Sequence, residues 1–395
     1  MNMKPKGFKF ATAEAAIKKP GRNDLALVFS ERPADASALF TRNAVKAAPL
    51  LISMERIRSG KAQAILVNSG NANACTGSQG IEAAAETSAL AARLLGIPEE
   101  MVQVASTGVI GVQLPAERVL SAIPALVGSL PDGTLEDVAR AIMTTDTFPK
   151  LETVEFEAGG MRCAIAGIAK GAGMIMPDMA TMLSFVLSDV NVDPLFLDKA
   201  FRRSVDSSFN AITVDGDMST NDTTLIMANG MAGNSIILEG TPEGARFESA
   251  LRGVLISLAR KIVKDGEGAT KFAEIRVIGA ESDPDAKKVA MAIANSTLVK
   301  TAFFGEDANW GRVFAAAGYS GAMVDQNRLS LWFDDVCMAR DGVFAGGDAE
   351  ARGTGVLRKE EFRVTLDMGL GSGEATVYTS DLSHEYISIN ADYRT

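Results

Sequence analysis

Short apolar runs of strand length alternate with amphipathic helical patterns along the whole of this 395-residue chain. Runs rich in aliphatic and β-branched residues predict strands, and apolar residues spaced three and four apart predict helices. The predicted strands are 24–30, 63–68, 101–106, 161–168, 182–190, 223–228, 273–278, 329–334 and 361–368. The predicted helices are 81–95, 115–126, 135–143, 194–209, 242–264 and 284–298, four of which open with a proline, a residue that the first turn tolerates. This order favours layered sheets and helices, an α/β fold of the α+β kind, over a strict βαβ series.

The composition is that of a folded globular protein, with 47% hydrophobic and 22% charged residues. Even segment 251–263 carries Arg252, Arg260 and Lys261, so no stretch reaches the roughly 18 to 20 apolar residues of a membrane helix. The first residues are basic but lack the apolar run of a secretory signal. We therefore expect a cytoplasmic protein without a membrane span. The net charge of −10 disfavours nucleic acid or an anionic membrane surface as a partner, because both attract basic patches.

Cysteine and histidine are too sparse for several common kinds of site. Cys75, Cys163 and Cys337 are scattered, so they predict neither a disulfide framework nor a metal-binding pair. His384 is the single histidine, which makes a Ser-His-Asp triad or a histidine metal cluster a poor explanation of function. We expect no metal, and we expect His384 to be a surface or loop residue.

The segment around Thr181 combines a flexible loop with a strand. A run with three glycine or proline residues, KGAGMIMPDMA at 170–180, leads directly into the strand-like TMLSFVL at 181–187. Backbone strain at such a junction would favour an acyl shift, in which the Thr181 hydroxyl attacks the carbonyl of Ala180 and the peptide bond breaks. The freed α-amine, with an ordinary pKa of about 7.7 to 8.0, would then serve as the base that activates the hydroxyl beside it. From these residues alone, plain core packing is the more common explanation of a methionine-rich segment that enters a strand.

Motifs spread over the whole chain add to this segment. They are GFKFATAEAAIKK at 7–19 with FTRN at 40–43, VNSGNANACTG at 67–77, STGVIG at 106–111, TTDTFPK at 144–150, DGDMSTND at 215–222, DGEGATK at 265–271, NWGRV at 309–313 and INADYRT at 389–395. Together with KGAGMIMPDMATML at 170–183, they resemble the motifs of the ArgJ family, the glutamate N-acetyltransferases also called ornithine acetyltransferases. Their number and order make the resemblance highly specific.

The resemblance implies a fold and a processing event. The fold is the N-terminal-nucleophile-like α/β fold of the DmpA/ArgJ superfamily, cleaved by the protein itself between Ala180 and Thr181. Residues 1–180 would form an α chain and residues 181–395 a β chain, and the two would stay associated, commonly as an α2β2 heterotetramer.

The resemblance also implies the roles of individual residues. Thr181 would be the catalytic nucleophile, and the Thr107 hydroxyl and the Gly108 N–H would form the oxyanion hole, where fixed donors stabilise developing negative charge. Substrate contacts in the family fall on Thr147, Lys170, Thr181, Glu267, Asn390 and Thr395 of this chain. We expect Lys170 to meet the substrate carboxylate and Glu267 to meet the amine or ammonium end.

The implied reaction is a ping-pong acetyl transfer. The acetyl group would pass from N-acetylornithine to Thr181 and then to glutamate, giving ornithine and N-acetylglutamate for arginine biosynthesis. This chemistry needs a nucleophile, a base and an oxyanion hole, so no cofactor is expected. Whether acetyl-CoA is also a substrate stays open.

Two other functions fit parts of the sequence. An N-terminal-nucleophile aminopeptidase or amidase would use water instead of an amine to resolve the acyl-enzyme, although it gives no reason for INADYRT and DGEGATK. An uncleaved amino-acid-binding protein with a degenerate site would keep its intact mass of 41.5 kDa.

Overall fold

A computed structural model describes residues 4–130, 132–176 and 182–392 of the chain. The described residues form two β-sheets and the helices that cover them. The strands are β1 Phe8–Ala13, β2 Leu25–Phe40, β3 Lys61–Asn71, β4 Val102–Val109, β5 Lys150–Ala158, β6 Met161–Lys170, β7 Leu183–Ser188, β8 Ile212–Thr213, β9 Thr223–Ala228, β10 Phe272–Ala280, β11 Ser330–Phe333, β12 Val336–Arg340, β13 Val343–Phe344, β14 Glu361–Asp367 and β15 Gly373–Ser380. The α-helices are α1 Ala48–Arg56, α2 Gly77–Leu95, α3 Ala116–Gly128, α4 Leu135–Ala141, α5 Pro194–Asp206, α6 Pro242–Lys264, α7 Asp283–Asn295, α8 Thr297–Phe304, α9 Trp310–Gly318, α10 Ala349–Leu357 and α11 His384–Asp392.

The first sheet is built around a long strand, β2. Its strand order is β4-β3-β2-β9-β7-β6-β5, and β1 pairs with the first part of β2. The later part of β2 pairs with β9, so one strand joins the two halves of this sheet. Helices α2 and α3 pack against β1 to β4, and α5 and α6 pack against the β5–β9 half.

The second sheet has the strand order β13-β12-β11-β14-β10-β15-β8 and lies beyond α6. Helix α6 contacts β5 and β6 of the first sheet and β8 and β15 of the second, so it joins the two sheets. The Arg260 guanidinium on α6 stacks on the rings of Phe272 and Tyr378, with centroid distances of 4.7 and 5.2 Å. A separate core forms between the second sheet and helices α7 to α10.

Strands β6 and β7 hold the two proposed chains together in one sheet. They are antiparallel neighbours, and Lys170, the last residue of β6, is paired with Leu183, the first residue of β7. The connection between the two strands contains the proposed cleavage site, and residues 177–181 of it lie outside the described residues. A cut in this connection would leave β6 on one chain and β7 on the other, joined by their hydrogen bonds.

The expectation of a mixed α/β architecture is confirmed, with two sheets in layers. Strand 223–228 and helix 242–264 have the predicted bounds. Helix 284–298 is wrong as a single element, because it is divided at Ser296. The Ser296 backbone leaves the helical conformation, and its hydroxyl accepts a bond from the Val299 N–H that caps the next helix, α8.

Within residues 4–130, 132–176 and 182–392, every helix is too short or too polar to span a bilayer.

The aromatic cluster under α6 should be a main source of stability. Phe247 is fully buried, with its ring centroid 6.1 Å from that of Phe156 and 6.0 Å from that of Phe196. Phe247→Ala should lower the free energy of unfolding by about 3 to 5 kcal/mol, because it removes buried apolar surface and leaves a cavity. The control Leu195→Ala, at a side chain that is 75% exposed, should change it by less than about 0.5 kcal/mol. Denaturant unfolding followed by circular dichroism measures both, and equal losses would contradict this packing.

Candidate active site

A cavity lies where β4 and β6 of the first sheet end. Its lining includes polar side chains from six well-separated parts of the chain. The lining residues are Ala72, Thr107, Gly108, Ile110, Thr144, Thr145, Lys170, Gly173, Met174, Ser219, Asn221, Glu267 and Asn390. Five residues that the sequence predicts to be functional are therefore brought together here, namely Thr107, Gly108, Lys170, Glu267 and Asn390.

Thr107 and Gly108 lie at the end of β4, next to Ser69 and Gly70 of β3. Gly108 has φ +134°, and a Cβ on it would lie 2.3 Å from the carbonyl carbon of Gly70. Only glycine fits such a close approach of two backbones. The Asn221 amide ties the neighbouring loops together, because it donates to the Ala72 and Ser106 carbonyls at 2.6 and 2.8 Å.

Lys170 reaches the cavity from the end of β6 and is 3% exposed. Its ammonium donates to the hydroxyls of Thr144 at 2.8 Å and Thr107 at 3.3 Å. Burial lowers the pKa of Lys170 below the usual value for lysine, while the nearby Asp146 carboxylate acts in the opposite direction. The ammonium therefore lies at the candidate oxyanion hole itself.

Glu267 and Asn390 form another wall of the cavity. Glu267 lies in the turn after α6, where its N–H donates to the Ala172 carbonyl at 2.9 Å. Its Oε2 accepts a bond of 2.9 Å from the amide of Asn390, on the C-terminal helix α11. The Glu267 carboxylate also lies directly over Gly173, so close that a Cβ on Gly173 would be 2.5 to 2.7 Å from the carboxylate atoms.

Thr147 does not line this cavity. Its side chain is exposed, and both its N–H and its hydroxyl donate to the carboxylate of Asp265. The bond to Asp265 engages the hydroxyl in this structure, and the predicted contact between Thr147 and substrate stays a prediction.

Ala180, Thr181 and Thr395 lie outside the described residues, so their predicted roles also stay predictions. The residues on either side of 177–181 are firmly held. The Met182 N–H donates to Oδ1 of Asp222 at 2.9 Å, and burial raises the pKa of Asp222 well above its usual value. On the N-terminal side of residues 177–181, the N–H groups of Met174 and Ile175 donate to Asp215 at 2.7 and 2.9 Å.

Asp215 also binds the C-terminal helix, through the Tyr386 hydroxyl at 3.2 Å. Burial raises the pKa of Asp215, and it raises that of Tyr386 together with the neighbouring carboxylates. One carboxyl group thus connects the loop after β6 with the helix that carries Asn390.

Sequence reasoning missed several polar residues that build the site, among them Thr144, Asp146, Asn221 and Asp222. All four lie inside motifs that the sequence singles out, TTDTFPK and DGDMSTND. Acidic and amide side chains are rarely buried unless they are paired with a partner. The high share of such side chains in these two motifs is the signal that could have indicated a polar site.

His384 is exposed at the start of α11, and its ring packs edge-on against Phe304 with a centroid distance of 5.5 Å. This confirms the prediction of a surface histidine. In the described parts of the chain, no group of three or more histidine, cysteine, aspartate or glutamate residues is arranged to hold a metal ion.

The fold and cavity are those of a two-sheet α/β protein with a polar site at its strand ends. The model of the ArgJ family matches residues 9–395. Two relatives named arginine biosynthesis bifunctional protein ArgJ are similar over their whole length. That of Geobacter sulfurreducens is 65% identical over 393 residues, and that of Syntrophotalea carbinolica is 51% identical over 393 residues, each match covering 100% of both chains. The chain belongs to the ArgJ family.

A solved structure of a relative agrees with this assignment. The crystal structure of the ArgJ protein of Bacillus halodurans is 39% identical, with a TM-score of 0.52, and the match covers 54% of this chain and 100% of that chain. The expected ArgJ fold is therefore confirmed.

Gly173 should set the position of Glu267. In Gly173→Ala, the added methyl group would push the carboxylate out of place, and the flexible glutamate side chain would move rather than the backbone. We expect the KM for the amino-acid substrate to rise about ten-fold or more, because a charge-assisted contact is worth about 1.5 to 3 kcal/mol, with little loss of stability. The control Gly253→Ala, at an exposed helix position with nothing within 4 Å of the new Cβ, should leave KM unchanged. An unchanged KM in Gly173→Ala would show that Glu267 does not need this position.

Proposed function

We propose that this chain cleaves itself between Ala180 and Thr181 and then uses Thr181 to move an acetyl group from N-acetylornithine to glutamate. Membership of the ArgJ family makes the chain an acetyltransferase of arginine biosynthesis, and its relatives carry that pathway in their names. The observation that carries the proposal is the cavity, in which a threonine hydroxyl, a glycine, a lysine and a glutamate of the family's motifs meet.

Self-cleavage comes first. The Thr181 hydroxyl attacks the Ala180 carbonyl carbon, the C–N bond breaks and leaves the amine on Thr181, and water hydrolyses the resulting ester. The products are residues 1–180 and residues 181–395. The second of these is 215 of 395 residues, or about 54% of the chain.

Acetyl transfer then follows in two steps. The α-amine of Thr181 takes the hydroxyl proton as the oxygen attacks the acetyl carbonyl, and the amine of ornithine leaves with a proton. The amine of glutamate next attacks the acetyl ester and regenerates the threonine. In both steps the carbonyl oxygen becomes negative, and the Thr107 hydroxyl and the Gly108 N–H are the donors that would stabilise it.

Substrate recognition uses the two walls of the cavity. Lys170 supplies positive charge for a carboxylate or an oxyanion, and Glu267, held by Asn390, supplies negative charge for the ammonium end of ornithine or glutamate. Thr147 and Thr395 complete the proposed set of substrate contacts. Both walls are needed, and the proposed cut assigns Lys170 to one chain and Glu267 to the other.

The same site would accept acetyl groups from acetyl-CoA, since the relatives are named bifunctional proteins. The reaction proposed here uses side chains and an α-amine only, with no metal or organic cofactor. Two cleaved copies would assemble as α2β2 in the cytoplasm, and the pairing of β6 with β7 is what keeps the two pieces of each copy together.

Cleavage is tested by intact-mass measurement of the wild type beside Thr181→Ala. We expect two fragments from the wild type, the second beginning Thr-Met-Leu-Ser, and a single 41.5 kDa chain from the variant, because it lacks the attacking hydroxyl. The fragments should separate by ion exchange under denaturing conditions. Residues 1–180 carry 18 basic and 18 acidic residues, and residues 181–395 carry 21 and 31. The same mass pattern for both proteins would exclude the proposed cleavage.

Transfer is tested by incubating the enzyme with N-acetylornithine, with and without glutamate. Ornithine release beyond one equivalent per active site should require glutamate, because the acetyl-enzyme waits for an amine. Release at the same rate without glutamate would favour the amidase alternative. A protein that binds ornithine but stays uncut and releases nothing would favour the binding-protein alternative.

A further inference from the structure

A buried cluster of charges lies directly behind the cavity. The Lys150 ammonium has no solvent exposure and donates to Asp146 Oδ1 at 2.7 Å and to Asp265 Oδ2 at 2.5 Å. Both carboxylates are themselves buried, and Lys170 adds a second positive charge 4.0 Å from Asp146 Oδ2. Two positive and two negative groups therefore balance within one buried cluster.

Asp146 holds the segment on which Lys170, the member of the cluster that lines the cavity, lies. Its Oδ1 accepts a 2.7 Å bond from the Gly171 N–H, and its Oδ2 accepts a 3.0 Å bond from the Thr144 N–H. Burial raises the pKa of Asp146, but the ammonium groups of Lys170 and Lys150 outweigh it and bring the pKa down to about 2. Asp146 is thus a fixed negative charge across the whole working range of pH.

Lys170 connects the Asp146 carboxylate to the candidate oxyanion hole. The Lys170 ammonium donates to the hydroxyl oxygens of Thr144 and Thr107. Because the Thr107 oxygen accepts from an ammonium, its own hydrogen must point elsewhere, and a hydroxyl that accepts a charged bond is a stronger donor. The Thr107 residue lines the cavity, so that donor is available to a substrate oxygen.

We propose that Asp146 is a positioning residue for acetyl transfer, which holds Lys170 so that its ammonium orients and polarises the Thr107 hydroxyl of the oxyanion hole. The proposal rests on the proposed function and adds a role to it. Asp146 touches no substrate. It acts through Lys170, and Lys170 acts through Thr107.

The dependence of rate on pH should report the contact between Asp146 and Lys170. Lys170 faces the carboxyl groups of Asp146, Glu267 and Asp222 and the ammonium of Lys150. The Lys170 ammonium is present below its pKa and is lost as pH rises through that pKa, so it sets the alkaline limb of the rate profile. The α-amine of Thr181 must be neutral and therefore sets the acid limb. A loss of negative charge at Asp146 lowers the pKa of Lys170 and moves only the alkaline limb, toward lower pH.

Asp146→Asn tests this directly, because it keeps the shape of the side chain and removes its charge. We divide kcat by the number of Thr181 residues that can be acetylated, so that uncleaved protein is not counted. This kcat should fall about ten-fold, whereas removal of an oxyanion donor itself typically costs a hundred-fold or more. We expect the KM for N-acetylornithine to change by less than kcat does, because the oxyanion exists only in the transition state, whereas a contact of Lys170 with the substrate carboxylate is made in both states. We expect the alkaline limb to move to lower pH.

The matched control is Asp189→Asn. Asp189 is also buried, and it accepts backbone N–H bonds from Lys6 and Ala164 at the other end of β7. We expect this variant to lose stability while its kcat per acetylatable threonine and its pH profile stay those of the wild type.

Asp146→Asn could cleave itself poorly and so give little active enzyme, and two further variants test the proposal in that case. Thr144→Val removes the second acceptor of the Lys170 ammonium without a change of buried charge, and it should lower kcat and move the alkaline limb in the same direction. In a Thr107→Ala background, Asp146→Asn should cost less than about two-fold, because the hydroxyl through which it acts is gone.

Three results would overturn the proposal. They are an unchanged kcat and pH profile per acetylatable threonine in Asp146→Asn, an unchanged alkaline limb in Thr144→Val, and a full ten-fold loss from Asp146→Asn in the Thr107→Ala background. Failure of the proposed function is distinct from these, because the wild type itself would then fail to transfer acetyl from N-acetylornithine to glutamate.

Discussion

The fully buried Lys150 ammonium, bound by Asp146 and Asp265, is the interaction on which the candidate site depends. Removal of one partner from such a pair typically costs about 3 to 5 kcal/mol, because a buried charge is left without compensation. Here the cluster also joins three distant segments: the loop of Thr144 to Lys150, the end of β6 with Lys170, and the turn after α6 with Glu267. The two walls of the cavity are thereby fixed relative to each other.

The architecture explains how a chain could be cut beside its site without losing it. Strands β6 and β7 lie side by side in the first sheet, and α6, from the second proposed chain, packs on β5 and β6 of the first. Asp215 binds both the loop after β6 and the C-terminal helix, so contacts across the proposed cut surround the cavity. Each proposed chain contributes charge to the site, Lys170 from the first and Glu267 from the second.

Much of the fold could be predicted from local pattern, and most of the site could not. Apolar spacing located helix 242–264 and strand 223–228, because such patterns report which face of an element is buried. The same pattern wrongly predicted a single helix over 284–298, because the Ser296 side chain caps the start of a new helix there. The resemblance assigned Thr107 and Lys170 separate roles, whereas in the fold their polar atoms are 3.3 Å apart. Lys150 bonds to Asp265, which lies 115 residues further along the chain. A single sequence carries no signal for such a long-range contact.

The proposed role of Thr181 is to carry the acetyl group between donor and acceptor. Its most direct test is a rapid-quench mass measurement of the enzyme mixed with N-acetylornithine in the absence of glutamate, followed by peptide mapping. We expect the peptide beginning at Thr181 to become heavier by one acetyl group and added glutamate to remove this group. An acetyl group on a different residue, or full transfer activity with no acetylated Thr181 peptide at any time, would contradict it.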